Sequence, residues 1–348
     1  MSAPSREERI LGIIETARAK RPRFKDERIT MAHGAGGKAT QTLIEGLLAP
    51  AFGIEELADA AVVDGLALTT DSFVVKPLRF PGGSIGELAV NGTVNDVAVA
   101  GARPLALSLA LILEEGLDAE VLRAEVDAMA AAAAAADVRI VTGDTKVVER
   151  GHADGMYVCT TGLGLRDDRA ALAPGAVRPG DRILVSGSIG EHGTAIMLAR
   201  GDLGLDADVV SDTRPLWPAV DAILGPDVHC IRDATRGGVA SVLNEIARAA
   251  GVAMLVREAD VPVAPAVAGA AELLGIDPMY VANEGKLVAF VAPAGSSQAL
   301  AALQALDPAA AEIGEVRTEP PGMVLVETAF GGRRVMDQLV GDPLPRIC

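Results

Sequence analysis

Four aspartates stand at the end of apolar runs or beside glycine turns: Asp71 in Thr69-Thr70-Asp71-Ser72, Asp96 in Asn91-Gly92-Thr93-Val94-Asn95-Asp96, Asp144 in Thr142-Gly143-Asp144-Thr145-Lys146, and Asp233 in Arg232-Asp233-Ala234-Thr235-Arg236-Gly237-Gly238. Carboxylates at strand ends can converge over one crevice. Several on one site repel each other unless hard cations neutralise them, and Mg²⁺ carrying nucleotide phosphates is the usual solution. Taken singly, each aspartate also suits a turn or helix cap. The loop His33-Gly34-Ala35-Gly36-Gly37-Lys38 offers a second phosphate-friendly feature, since glycines at 34, 36 and 37 let the backbone approach an anion and Lys38 adds a point charge. It is not a Walker A loop, because Ala32 stands where the first glycine would be and Ala39 replaces the metal-binding hydroxyl residue. A simple mobile turn is the competing reading.

The chain closes on Pro343-Leu344-Pro345-Arg346-Ile347-Cys348. Two prolines keep this tail out of regular structure, and a thiol on an accessible arm can carry a covalently bound group between sites. Frayed ends are common, so the tail alone does not decide between a reagent and a chance terminus. Cys159, inside an apolar strand, and Cys230, just before the Arg-Asp pair, read as buried small hydrophobes. His152, His192 and His229 show no metal-ligand spacing and read as loop or cap residues.

The elements that must position these groups alternate between short apolar runs and helical periods. The first part holds runs at 66–70, 105–113, 138–142 and 156–164, with helices over 85–100 and 119–136. The second holds strands at 183–186, 252–256 and 287–291, with helices near 192–200, 237–250 and 296–306. The turn-rich stretch Ala173-Pro174-Gly175-Ala176-Val177-Arg178-Pro179-Gly180-Asp181 reads as the domain boundary. The expectation is an α+β chain of two mixed α/β domains: a basic accessory helix over 1–28, an amino-terminal domain over 29–172, a carboxy-terminal α/β domain over 173–340, and a flexible tail over 341–348.

Composition narrows the partners. With 31 basic against 47 acidic residues, a formal charge of −16, the chain repels a nucleic-acid backbone or an anionic membrane. The alanine run 130–136 is too short to cross a bilayer, and the amino terminus lacks a secretory apolar stretch. Three widely spaced cysteines suggest reduced thiols in a cytoplasmic protein.

The strings Asp71-Ser72, Asn95-Asp96-Val97-Ala98, Gly143-Asp144-Thr145-Lys146-Val147-Val148, Arg232-Asp233-Ala234-Thr235-Arg236-Gly237-Gly238-Val239, Asn283-Glu284-Gly285-Lys286 and the closing Pro343-Leu344-Pro345-Arg346-Ile347-Cys348 together resemble the nickel–iron hydrogenase maturation family HypE. The resemblance runs from about residue 29 to the end. It implies the fold of aminoimidazole ribonucleotide synthetase, a homodimer whose amino-terminal domains pair into a barrel, and ATP near the subunit interface. It also implies a reaction, in which the carbamoyltransferase HypF loads the terminal cysteine and ATP-dependent dehydration of the S-carboxamide gives an S-cyanide for iron held by a HypC-HypD scaffold.

On that resemblance Mg²⁺ would sit on Asp71, Asp96, Asp144 and Asp233, and the nucleotide on Gly34, Gly36, Gly37, Lys38, Asp71, Asn95 and Thr145. Cys348 would carry the substrate, with Glu284 or Glu149 as base and Lys146 on the transferred phosphoryl group. His33 is a further acid/base candidate or a structural histidine. Two alternatives stand beside this reading. One is another ATP-dependent enzyme of the same fold, making selenophosphate or closing an imidazole ring, although no cysteine precedes Cys159 near the glycine loop. The other is a non-catalytic module whose proline-rich tail docks on a partner.

Overall fold

From the glycine loop the chain passes through α1 (Lys38–Leu43) and α2 (Ala49–Phe52) before the hairpin of β1 (Ala61–Val63) and β2 (Leu66–Phe73). The hairpin turns on Asp64 and Gly65, both with positive φ, as an Asp-Gly pair allows. Short strands β3 (Arg79–Phe80) and β4 (Gly83–Ser84) lead into α3 (Ile85–Val99), followed by β5 (Ala102–Glu114), α4 (Ala119–Ala135), β6 (Arg139–Val148) and β7 (Met156–Arg166). In this computed structural model the described residues are 23–54, 57–201, 207–339 and 346–348. The expected helix over 1–28 thus falls largely outside them, and residues 23–28 are not helical.

The first sheet has the order β1-β2-β7-β5-β6; β5 and β6 run parallel, joined by α4, and the other pairs are antiparallel. Its inner face packs on α3, whose small residues Gly86, Ala89 and Gly92 let neighbouring chains come close, so that nearly every α3 side chain is buried. The outer face is uncovered in one chain and carries exposed Leu66, Leu68, Leu105, Leu163 and Leu165. Strand β6 continues six residues beyond the apolar run that announces it, so Asp144 lies within a strand and not at its end. Cys159 also departs from expectation. It is half-buried on β7, with its sulfur 3.2 Å from Ser72 Oγ, because it alternates with buried Val158 and Thr160.

Past residues 167–181 comes a seven-stranded sheet formed by β8 (Arg182–Val185), β9 (Val228–Asp233), β10 (Ala253–Arg257), β11 (Leu287–Val291), β12 (Ala311–Arg317), β13 (Val324–Glu327) and β14 (Arg333–Val335), in the order β14-β13-β10-β12-β8-β11-β9. Its helices are α5 (Glu191–Arg200), α6 (Trp217–Ile223), α7 (Gly238–Ala250), α8 (Pro265–Leu274) and α9 (Pro293–Leu306). Helix α7 lays Val239, Leu243 and Ile246 on one face, while Val220 of α6 and Leu303 of α9 cover the other. All five residues of β11 are therefore buried, as expected for a strand sandwiched between helical layers. Helix α3 touches both β9 and α6, which brings the two sheets to one crevice.

The end of the expected flexible tail is docked. Val74 N–H donates to the Cys348 carbonyl at 3.1 Å and Lys76 N–H to the Arg346 carbonyl at 3.3 Å, while Ile347 is buried in the core under β2 and α3. His192 and His229, read as loop or cap residues, are both buried. His229 lies on β9, paired through Nδ1 with Asp181 at 2.7 Å.

Candidate active site

The crevice between the sheets gathers acids from four elements. Asp59 precedes β1, Asp71 lies on β2, Asp96 in the last turn of α3 and Asp233 at the end of β9. Asp59, Asp96 and Asp233 offer carboxylate oxygens that all lie within 4.8 Å of one another. Asp71 joins them through side-chain hydrogen bonds to Asp96 and Thr93. Thr69 Oγ1 lies 2.8 Å from Asp96 Oδ2. Burial, with the charges of Asp71, Asp233 and Asp59, holds the Asp96 carboxyl well above the usual carboxylate range, and burial with the charge of Asp59 does the same to Asp233. Asp59 and Asp71 are also raised, chiefly by burial, against the opposing pull of Arg232 and Arg236 respectively.

Arg232 is the principal counter-charge, with Nε 2.7 Å from Asp59 Oδ2 as a close charge pair and a second contact to Glu245 at 3.4 Å. Two guanidiniums, that of Arg232 shared with Glu245, against four carboxylates leave a surplus of negative charge that a divalent cation would neutralise. The all-oxygen, hard donor set fits Mg²⁺.

Glu284 forms the second part of the site. It precedes β11 in a turn held by Asp212, whose carboxylate accepts the backbone N–H groups of Glu284 and Gly285, each at 3.1 Å. Its side chain is buried facing Gly92 of α3, and Oε1 has no hydrogen-bond partner. Burial, reinforced by Asp233 and Asp212, raises its carboxyl well above the usual range. A desolvated carboxyl with an unused oxygen facing a crevice has the character of a general base or acid.

The docked tail reaches this same place. His192 Nε2 lies 2.7 Å from the Ile347 carbonyl oxygen and 4.0 Å from Glu284 Oε1, so a single ring nitrogen separates the tail backbone from the candidate base.

The glycine loop is brought to the Arg232–Gly238 segment, where Arg236 Nη1 donates to the Gly34 carbonyl at 2.6 Å and Ser241 Oγ to that of Gly36 at 3.3 Å. Gly36 has a φ of +76°, and a Cβ there would come within 2.8 Å of Arg236 Cβ, so the close approach requires glycine. Gly37 caps α1, and Lys38 pairs with Asp337 at 2.7 Å. His33 is spent structurally. Its Nε2 bonds Asp26 at 2.8 Å, its Nδ1 meets Thr30, and its ring packs edge-on against Phe24. Asn95 likewise uses its amide on backbone, donating to the Arg214 and Glu284 carbonyls and accepting from Leu216 N–H. It braces the turn that carries Glu284.

Asp144, Thr145, Lys146 and Glu149 stand apart from this cluster within one chain. They are exposed on or just after β6, the edge strand, with β7 and β5 between it and β2. Lys146 Nζ bonds Asp144 Oδ2 at 2.6 Å, consistent with their two-residue spacing on extended chain. Asp59 escaped the sequence reading because it sits in no glycine context. The only signal was its place just ahead of the β1–β2 hairpin, whose turn Asp64-Gly65 is legible.

Comparisons with known proteins agree with this geometry. Residues 57–166 match the family model "AIR synthase related protein, N-terminal domain", and residues 178–326 match "AIR synthase related protein, C-terminal domain". Carbamoyl dehydratase HypE of Rhodobacter capsulatus is 50% identical over 338 residues, covering 93% of this chain and 99% of that one. A crystal structure of a HypE–HypF complex superposes with a TM-score of 0.83 at 44% identity, covering 85% of this chain and 99% of that one. A crystal structure of hydrogenase maturation protein HypE in complex with ATP gives 0.79 at 43%, covering 92% and 100%.

Proposed function

The chain belongs to the HypE family of carbamoyl dehydratases, and from that premise we propose that its substrate is its own tail: a carboxamide on the sulfur of Cys348, dehydrated with ATP to an S-cyanide that becomes the cyanide ligand of the hydrogenase iron. The observation that carries this reading is the docked tail, whose Ile347 carbonyl lies 2.7 Å from the same His192 nitrogen that stands 4.0 Å from the buried carboxyl of Glu284.

An amide oxygen leaves poorly as such. The carboxamide oxygen takes the γ-phosphoryl group of ATP while the nitrogen loses one proton, giving an O-phosphorylated imidate and ADP. Removal of the second nitrogen proton then forms the C≡N bond as the C–O bond breaks and phosphate departs. Glu284 suits the proton removals, since its unpartnered oxygen has a raised proton affinity. Mg²⁺ would be held by Asp59, Asp96 and Asp233 with Asp71 beside them, and would offset the charge of the phosphate oxygens. Arg236 and the backbone of Gly34 to Gly37 lie on the approach to that cluster and suit the remaining phosphates.

We assign Asp144, Thr145, Lys146 and Glu149 to the partner's site in a homodimer. The exposed leucines of the first sheet and the open edge at β6 are the features that support pairing through this face. Loading of the tail by the transferase HypF and handover to a HypC-HypD iron scaffold follow from the reaction. Both require the tail to leave its dock. Three free cysteines and a thiol substrate suit the reducing cytoplasm, and among the described residues no helix is long and apolar enough to cross a membrane.

The reading is tested by ATP turnover with carbamoylated chain, unmodified chain and Cys348→Ala. Hydrolysis stoichiometric with the carbamoyl group, and absent in the other two, is expected. Equal hydrolysis in all three would remove the tail from the reaction.

A further inference from the structure

His192 lies in the first turn of α5 and is fully buried, its ring edge-on to Phe80 at 5.5 Å. Nε2 faces the Ile347 carbonyl at 2.7 Å and Nδ1 faces Ser211 Oγ at 2.8 Å. A carbonyl can only accept, so Nε2 carries the proton and donates. Nδ1 of the neutral ring then accepts the Ser211 hydroxyl. The ring is thereby fixed in one tautomer and one orientation.

The backbone carbonyls of the last three residues are all engaged, and the Arg346 side chain adds a donation to the Val74 carbonyl. The Arg346 carbonyl accepts from Lys76 N–H and from Arg200 Nη2 at 2.6 Å, the Ile347 carbonyl from His192, and the Cys348 carbonyl from Val74 N–H. Beside these contacts the Ile347 side chain is buried, and the half-buried Cys348 packs against the same core. Of these donors only His192 also faces Glu284, at 4.0 Å from Oε1, beyond hydrogen-bond reach. With its proton committed to the tail, the ring leaves that oxygen to the substrate.

We propose that His192 is the positioning residue of the dehydration: its Nε2–H fixes the Ile347 carbonyl and so sets the Cys348 carboxamide against Glu284. The proposal rests on the tail being the substrate. His192 touches no reacting atom and acts through Ile347.

Alkylation of Cys348 followed by peptide mass mapping reads the dock, with Cys159 and Cys230 as internal references. Single-turnover dehydration of carbamoylated chain reads the chemistry. His192→Leu should raise Cys348 labelling roughly fivefold to tenfold, the shift expected for one lost buried hydrogen bond. Dehydration should slow by a similar factor, with ATP affinity and reference labelling unchanged. His192→Gln, whose amide can still donate to the Ile347 carbonyl, should stay within about twofold of wild type in both readings. Wild-type labelling and dehydration in His192→Leu would overturn the proposal. A Gln variant as impaired as the Leu variant would do so too, because ring bulk and not the donated proton would then matter. If His192→Leu does not fold, Ser211→Ala carries the test. Loss of the hydroxyl that fixes the tautomer should raise labelling severalfold, and no change would overturn the idea. A wild-type chain that never dehydrates its carboxamide would refute the tail reading itself, while labelling would still decide whether His192 holds the dock.

Discussion

Asp96→Asn should stabilise the cation-free protein while abolishing its response to Mg²⁺. The carboxylate oxygens of Asp59, Asp96 and Asp233 lie within 4.8 Å of one another, so two ionised neighbours repel by about 3.5 kcal/mol or more at an effective dielectric near 20. Asn at 96 removes two of the three pairwise repulsions. The full sum is not realised, because burial and mutual charge raise these carboxyls and some keep their protons. A gain of about 1–2 kcal/mol remains, or a rise in Tm of roughly 1–3 °C for a chain of 348 residues. The sign with pH follows from linkage. Below the carboxyl range of the unfolded chain both states are protonated and the cluster costs nothing. As pH rises through the raised folded values, the native state must give up its protons and stability is lost. The advantage of the variant should therefore grow with pH in chelator. Wild type should recover with Mg²⁺, by about 2.7 kcal/mol at a hundredfold excess over Kd, and the variant should not. Thermal unfolding of both chains with chelator or Mg²⁺, from acidic to mildly basic pH, measures this. A variant less stable than wild type in chelator, or equally stabilised by Mg²⁺, would refute the picture of a charge-frustrated cation site.

Glu284→Gln should keep ATP binding and tail carbamoylation but slow single-turnover dehydration at least a hundredfold, as loss of a general base does. In wild type the same rate should rise with pH as the raised Glu284 carboxyl ionises, and that rise should vanish in the variant. Mixing Lys146→Ala with Glu284→Gln subunits should restore about a quarter of wild-type sites if Lys146 serves the partner's site, since random pairing gives half heterodimers with one intact site each. No recovery after verified subunit exchange would return Lys146 to its own chain. Gly36→Val should weaken ATP binding several-fold by forcing the loop off Arg236, seen by calorimetric titration, with little change in tail labelling.

The strands and helices bearing chemistry were legible because their patterning is local: the apolar runs 66–70 and 287–291 and the Ala-rich α4 each announce themselves. Asp71, Asp96, Asp233 and Glu284 could be picked out because each is a polar residue at the edge of an apolar or glycine-rich segment. Asp59 could not, since its role arises from the β1–β2 hairpin folding back over α3, a contact no local pattern encodes. The same holds for His192, whose partners Ser211, Glu284 and Ile347 are distant along the chain. His33 and Asn95 show the converse, for residue type suggested chemistry where packing had already consumed their polar atoms. Asp144 and Lys146 were legible as a pair on one face of a strand, but no local pattern says which crevice that face serves, and in the proposed dimer it is the partner's.

Intact mass of the chain, incubated with carbamoyl phosphate, ATP and the partner transferase, decides whether the tail cysteine is the substrate. A gain of one carbamoyl group on the peptide ending in Cys348 is expected, followed by loss of one water from that same peptide, with neither change in Cys348→Ala. A carbamoyl adduct that persists in the presence of Mg²⁺ and ATP, or dehydration that proceeds without Cys348, would contradict it.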